Sequence, residues 1–148
     1  MENLNSFITD MLVGAGIDAD GIEINPIYGG GNNRVVSVQT NAGKYLAKTY
    51  YSHPSDTRNR LAAEYAFLSY ACKIGLECVP KPIFCDQKNN IGLYEFVEGR
   101  KLESLELTQK HIMAAASFIK GLNARQDRDQ TLPVAPEGCF SIERHFFI

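Results

Sequence analysis

The chain has no marked excess of either charge: 15 Lys and Arg stand against 17 Asp and Glu, a net charge of -2. That balance argues against a general binder of nucleic-acid backbones, which needs a basic footprint. No stretch approaches the ~18 consecutive apolar residues of a membrane span, so a membrane is not an expected partner either. The four cysteines, Cys72, Cys78, Cys85 and Cys139, contain no C-x-x-C pair and no His at zinc-finger spacing. Reduced thiols in a cytosolic core are the expectation. The opening "MENLNSFITDM" carries acids and no basic n-region, unlike a signal peptide. Together these absences assign the chain to the cytoplasm.

What is present suits a folded domain. Hydrophobic residues make up 45% of the 148 and charged ones 22%, enough to build a sizeable core. Leu4, Phe7, Ile8, Met11 and Leu12 recur at helical spacing, and Gly14 and Gly16 end that helix. From Gly21 the period changes to two. "IEINPIY" alternates, and Pro26 confines it to a sheet edge or a bulge. "RVVSVQT" reads as a strand with Val36 and Val38 on one face, "NAG" as a hairpin turn, and "KYLAKTYY" as a third strand. These make an antiparallel meander.

A helix over 58–73 follows, announced by "HPSD" with a Ser/Asp cap. Its stripe is Leu61, Tyr65, Leu68 and Cys72, and it stops at Gly75. "VPKPIF" is an extended connector leading to a strand around 83–86. "NNIGLYEFVEG" is a β-type run that breaks at Gly99. "TQKHIMAAASFIKGLN" is a second helix, expected to turn Ile112, Ala115, Ala116, Ile119 and Leu122 inward. "QDRDQTLPVAPEG" is a loop, after which Ser141 looks like the N-cap of a helix holding Ile142, Phe146, Phe147 and Ile148. That helix has no C-cap and no polar tail, so the expectation is a piece of a longer protein.

The chemistry gathers in the meander. A dinucleotide fold needs its glycines between a strand and a helix, but a strand follows Gly29, Gly30 and Gly31. A Walker loop needs Gly-Lys-Ser/Thr, and Gly43-Lys44 is followed by Tyr45. A glycine-rich hairpin remains, which taken alone reads as a plain turn, since glycine simply supplies φ > 0. Two further residues raise the alternative of a phosphate cradle. Lys48 lies on a half-buried strand, where an ammonium must find an anion. Glu64 sits mid-helix at the margin of the apolar stripe. Each alone reads as ordinary surface charge. Glycine hairpin, strand lysine and helix glutamate come in the order of a kinase small lobe, in which the glutamate orients the lysine and the lysine fixes phosphates.

"GGGNNRVVSV", "KYLAKTYY", "AAEYAFLSYA", "VPKPIF" and "GLYEFVEGRKL" in this order resemble the small lobe of the aminoglycoside phosphotransferase and choline kinase family. The resemblance covers roughly residues 21 to 148. It implies an α+β, protein-kinase-like fold: a five-stranded antiparallel sheet plus helix, followed by an incomplete helical lobe. The expected organisation is an N-terminal helix (1–20), a nucleotide-binding small lobe with hinge (21–99), and the start of a large lobe (100–148). Carried over by position, Gly29, Gly30, Gly31, Asn32 and Asn33 would cover the nucleotide, with Lys48 on its phosphates and Glu64 holding Lys48. Glu95 C=O and Val97 N–H would pair with adenine, behind which Tyr94 closes the pocket. ATP is the implied cofactor and a small hydroxylated compound the implied substrate.

One departure from the family pattern is large. The family's catalytic loop is His-Gly-Asp followed by Asn, with a later Asp on magnesium. Here only His111 and His145 follow Gly99, neither before Gly-Asp, and Asp127 and Asp129 lie in the polar loop. A missing positioned base costs about 10²–10⁴ in rate, so residues 1–148 alone are expected to transfer negligible phosphate. Magnesium is expected only with the missing part. Two readings from other classes stay open: a non-catalytic nucleotide- or partner-binding α+β module, dimerising through the apolar "FFI" end, and a plain structural module.

Overall fold

In a computed structural model of the chain, residues 2–28, 33–53, 55, 58–124 and 132 are described. Helix α1 (Glu2–Gly14) leads into strands β1 (Glu23–Ile27), β2 (Arg34–Thr40) and β3 (Gly43–Thr49). Helix α2 (Arg60–Lys73), strands β4 (Pro82–Asp86) and β5 (Ile91–Glu95), a 3-10 turn (Ser104–Glu106) and helix α3 (Gln109–Asn123) complete the order. All strands pair antiparallel, in spatial order β1-β2-β3-β5-β4. This is the expected five-stranded α+β arrangement. Pro26 sits on the edge strand β1, which among the described residues pairs only with β2, as its missing N–H demands.

The period-two alternation divides the sheet into two faces. Val36 and Val38 of β2, Ala47 of β3 and Ile91 and Leu93 of β5 join one buried cluster with Ile8, Met11 and Leu12 of α1. The register strings Val36, Ala47, Leu93 and Phe84 in one row across four strands. Gly14 lets α1 lie against the end of that row, where an added Cβ would come within 3.2 Å of the Phe84 ring. Each fully buried aliphatic side chain here is worth roughly 1.5–3 kcal/mol. The sheet is therefore sandwiched, with α1 on one face and α2 on the other. The sequence predicted only the second of these layers.

Two local expectations need correction. Helix α2 is capped by Asn59, whose side chain accepts from the Ala62 N–H at 2.9 Å. Ser55 does not cap it, because its hydroxyl and N–H are both engaged with His53 Nδ1; Asp56 lies outside the described residues. Ile112, Ala115, Ala116 and Ile119 of α3 are exposed rather than inward, Ile112 by 64%, and Leu122 alone of that stripe is half-buried. The helix approaches the sheet layers at its C-terminal end, where Gly121 meets Leu76, so the rest of its apolar stripe faces outward among the described residues. The helix expected over 141–148 and the loop before it fall outside the described residues.

Candidate nucleotide site

On the α2 face of the sheet, β3 presents Lys44, Leu46 and Lys48, alternate residues of one strand. Lys48 Nζ donates to Glu64 Oε2 at 2.6 Å, joining the C-terminal end of β3 to α2. Both side chains are partly buried, so the pair contributes little net stability and chiefly fixes where the ammonium sits. Val35, opposite Lys48 in the β2–β3 register, and Leu46 are half-buried on the same face. They form an apolar floor beside a fixed cation.

Behind the cation stands a group of tyrosines. The Tyr50 ring lies 4.7 Å from Lys48 Nζ, and its hydroxyl meets that of Tyr94 at 2.7 Å. Tyr50 is anchored at its backbone as well: its N–H donates to Asn90 O, and Asn90 Nδ2 donates to Tyr50 O, both at 2.9 Å. Asn90 has φ 57°, a left-handed turn conformation that asparagine tolerates better than most residues. Tyr65 of α2 packs on Tyr94 with ring centroids 6.4 Å apart.

Gly92 lies across the β3–β5 pair from Lys48. The Tyr94 ring occupies the space where a side chain at 92 would go, with Cε2 only 2.6 Å from an ideal Cβ. The Tyr94 ring thus fills the space beside Gly92 on the Lys48 face. Tyr50, Gly92, Val35 and Leu46 were not singled out by the sequence. The only signal was the alternation that sets Val35 and Leu46 opposite Val36 and Ala47.

Burial raises both phenols. Desolvation and the paired Tyr94 hydroxyl push Tyr50 far above the ordinary tyrosine value, with Glu64 adding to the effect. Desolvation pushes Tyr94 up to about 12, although its bond with Tyr50 acts the other way. A raised folded-state pKa gives a contribution that is full below the unfolded value of 10.0 and lost above it. Stability is thus expected to fall between pH 10 and about 12, as the unfolded chain ionises while Tyr94 cannot. Urea denaturation at pH 9, 10 and 11 checks this. The fall should be shallower in a Tyr50→Phe/Tyr94→Phe variant, and an equal slope would contradict it.

The remaining expected site residues divide clearly. Gly29, Gly30, Gly31 and Asn32 lie outside the described residues. Asn33 directs its side chain to the scaffold: Oδ1 accepts the Tyr51 N–H at 3.0 Å, tying the end of the hairpin loop to the exit of β3. Glu95 ends β5, where its N–H donates to Lys81 O at 2.9 Å and its carboxylate accepts from Lys81 N–H at 3.2 Å. Val97 lies just past the strand and is exposed. Further on, His111 Nδ1 accepts the Thr108 N–H at 3.1 Å and so helps start α3; His145, Asp127 and Asp129 lie outside the described residues.

A cavity of about 440 Å³ occupies another place, against the β1–β2 hairpin, between Leu4 and Asn5 of α1 and Pro26, Tyr28 and Arg34. Its lining includes neither Lys48 nor Glu64 but shares Asn33 and Val35 with the candidate site. Among the described residues, Cys72, Cys78 and Cys85 are free, and no group of three His, Cys, Asp or Glu side chains converges as metal ligands. No helix among them is long and apolar enough to cross a membrane.

The family model of the phosphotransferase enzyme family matches residues 23–137, from β1 through the end of α3 and beyond. The chain belongs to that family. No curated protein matches it. The matched region starts at the edge strand, takes in the whole sheet and includes the Lys48–Glu64 pair. Its five-stranded sheet with α2 across one face suits a kinase-like fold. Helix α1 precedes the matched region.

Proposed function

We propose that this chain is the ATP-binding part of a small-molecule kinase. Its substrate would be a hydroxyl group on an aminoglycoside-, choline- or sugar-like compound. The observation that supports this best is the Lys48–Glu64 pair at 2.6 Å, beside the apolar floor of Val35 and Leu46 and at the end of a glycine-rich hairpin. Lys48 would hold the α- and β-phosphates, with Glu64 keeping its ammonium in place. The N–H groups of Gly29, Gly30, Gly31, Asn32 and Asn33 would cover the phosphates. Glu95 C=O and Val97 N–H would pair with adenine over Leu46. ATP supplies the phosphoryl group.

The described residues offer no set of ligands for magnesium, and no step here passes through it. Without a His-Gly-Asp loop, residues 1–148 hold and orient the donor but do not deprotonate a substrate hydroxyl. The cytoplasm suits both the nucleotide and the free thiols.

Calorimetric titration with ATP tests the reading. Losing one charge-assisted contact is worth about a tenfold loss of affinity, so Lys48→Ala should bind about ten times more weakly than wild type. Equal affinity, or no binding by either protein, would remove the proposal. A coupled assay should detect negligible turnover by residues 1–148.

The exposed stripe of Ile112, Met113 and Ile119 on α3 favours a second reading, a surface for a second copy of the chain. Sedimentation should then show a concentration-dependent dimer that Ile112→Glu disperses. A monomer at every concentration would eliminate this reading. The "FFI" end, also expected in such a contact, lies outside the described residues.

A further inference from the structure

The pairing of β5 with β3 stops at Tyr45 and Glu95. One residue earlier on β3, Lys44 remains in the β2 ladder opposite Gln39 but has no β5 residue beside it. The chain from 96 onward leaves the sheet at that point. Lys44 reaches across to it: Nζ donates to Glu98 Oε1 at 2.6 Å and lies 4.0 Å from the centroid of the Phe96 ring. Lys44 shares its face of β3 with Leu46 and Lys48. Four residues of strand separate the two ammonium-bearing positions by roughly 13 Å. One strand thus carries two ion pairs on one face, with the apolar floor between them.

We propose that Lys44 is a positioning residue for the base end of this groove, holding segment 95–99 in the conformation that receives a purine. The inference rests on the nucleotide reading of the site and deepens it, giving β3 a cation at each end of the bound molecule. Lys48 meets phosphate directly. Lys44 acts through Phe96 and Glu98, whose neighbours Glu95 and Val97 carry the main-chain groups that would face adenine. The Lys44–Glu98 pair is largely exposed and worth little to global stability. Its effect is to hold a segment that has left the ladder, which lowers the ordering cost of binding.

The test uses the 1–148 chain and two probes, adenosine for the base end and inorganic tripolyphosphate for the phosphate end. Lys44→Ala should weaken adenosine about five- to tenfold with Tm unchanged, and the loss should fall on adenosine and not on tripolyphosphate. Lys44→Arg, which keeps both the ion pair and the ring contact, should restore most of the affinity. Adenosine is neutral, so any salt dependence of its binding reports the protein's own ion pair. Wild-type affinity for adenosine should fall as salt rises, and that of Lys44→Ala should not. Unchanged adenosine binding in Lys44→Ala, with tripolyphosphate still lost in Lys48→Ala, would overturn the role of Lys44 and leave the nucleotide reading standing. A lowered Tm with equal losses for both probes would make Lys44 merely structural and would also overturn it. Failure of the wild type to bind either probe would remove both.

Discussion

Tyr50→Phe and Tyr94→Phe should each destabilise the protein by about 1–3 kcal/mol, while the double replacement should recover most of that loss. The two hydroxyls are 2.7 Å apart in rings only 4% and 2% exposed. Tyr50→Phe leaves the Tyr94 hydroxyl buried without its partner, so its desolvation cost appears. Tyr94→Phe leaves Tyr50 with Glu64 and should cost the lesser amount. Removing both leaves two apolar rings of unchanged shape, and the cost nearly vanishes. Glu64 beside Tyr50 should keep the recovery from being complete. Urea denaturation of the four proteins gives the coupling energy directly. Strictly additive losses would show that the hydroxyls do not depend on each other. The pair would then not be what holds the wall behind Lys48.

Gly92→Ala should cost about 3 kcal/mol, the upper end of what one inserted methyl does in a filled site. The new Cβ would lie 2.6 Å from Tyr94 Cε2 and Cζ. A flexible side-chain end could yield cheaply, but Tyr94 cannot. Its hydroxyl is held by Tyr50, its ring is packed by Tyr65, and its strand is paired on both sides. Displacing the ring therefore breaks the hydroxyl pair as well. Since Gly92 lies directly across from Lys48, Gly92→Ala should also weaken the proposed binding of ATP. Gly92→Ala/Tyr94→Leu should be less destabilised than the sum of its two single variants, because the clash disappears with the ring. A sum that holds without coupling would contradict the crowding described here.

Individual residues show where the sequence was legible. Val36 and Val38 reach the core because a strand's side chains alternate and both stand on one side of it. Pro26 lies on an edge because it has no N–H to give a second neighbour. Lys48 attracted notice because an ammonium on a half-buried strand needs an anion, and Glu64 because it follows in the order of a kinase small lobe. The structure brings them together. Tyr50 carried no such signal. In "KTYY" it resembles any strand residue, and its burial depends on Tyr94, 44 positions away. Gly92 read as an ordinary glycine in a β run, because only the fold puts a tyrosine ring over it. The stripe on α3 was legible as a stripe. What lies against it was not, since periodicity marks an apolar face and says nothing of its surroundings.

By itself, then, the sequence determined the five strands and their faces, helices α1, α2 and α3, the edge position of β1, and a cation and an anion with reason to meet. These follow from local geometry, the two- and 3.6-residue periods and the demands of proline, glycine and charge. Tertiary structure alone decided that β5 lies between β3 and β4, that α1 covers one face and leaves the other to α2 and the Lys48–Glu64 pair, and that Tyr50, Tyr94 and Gly92 interlock behind it. Those are contacts between residues distant in the chain. They arise from filling one shared interior, and no local pattern encodes them.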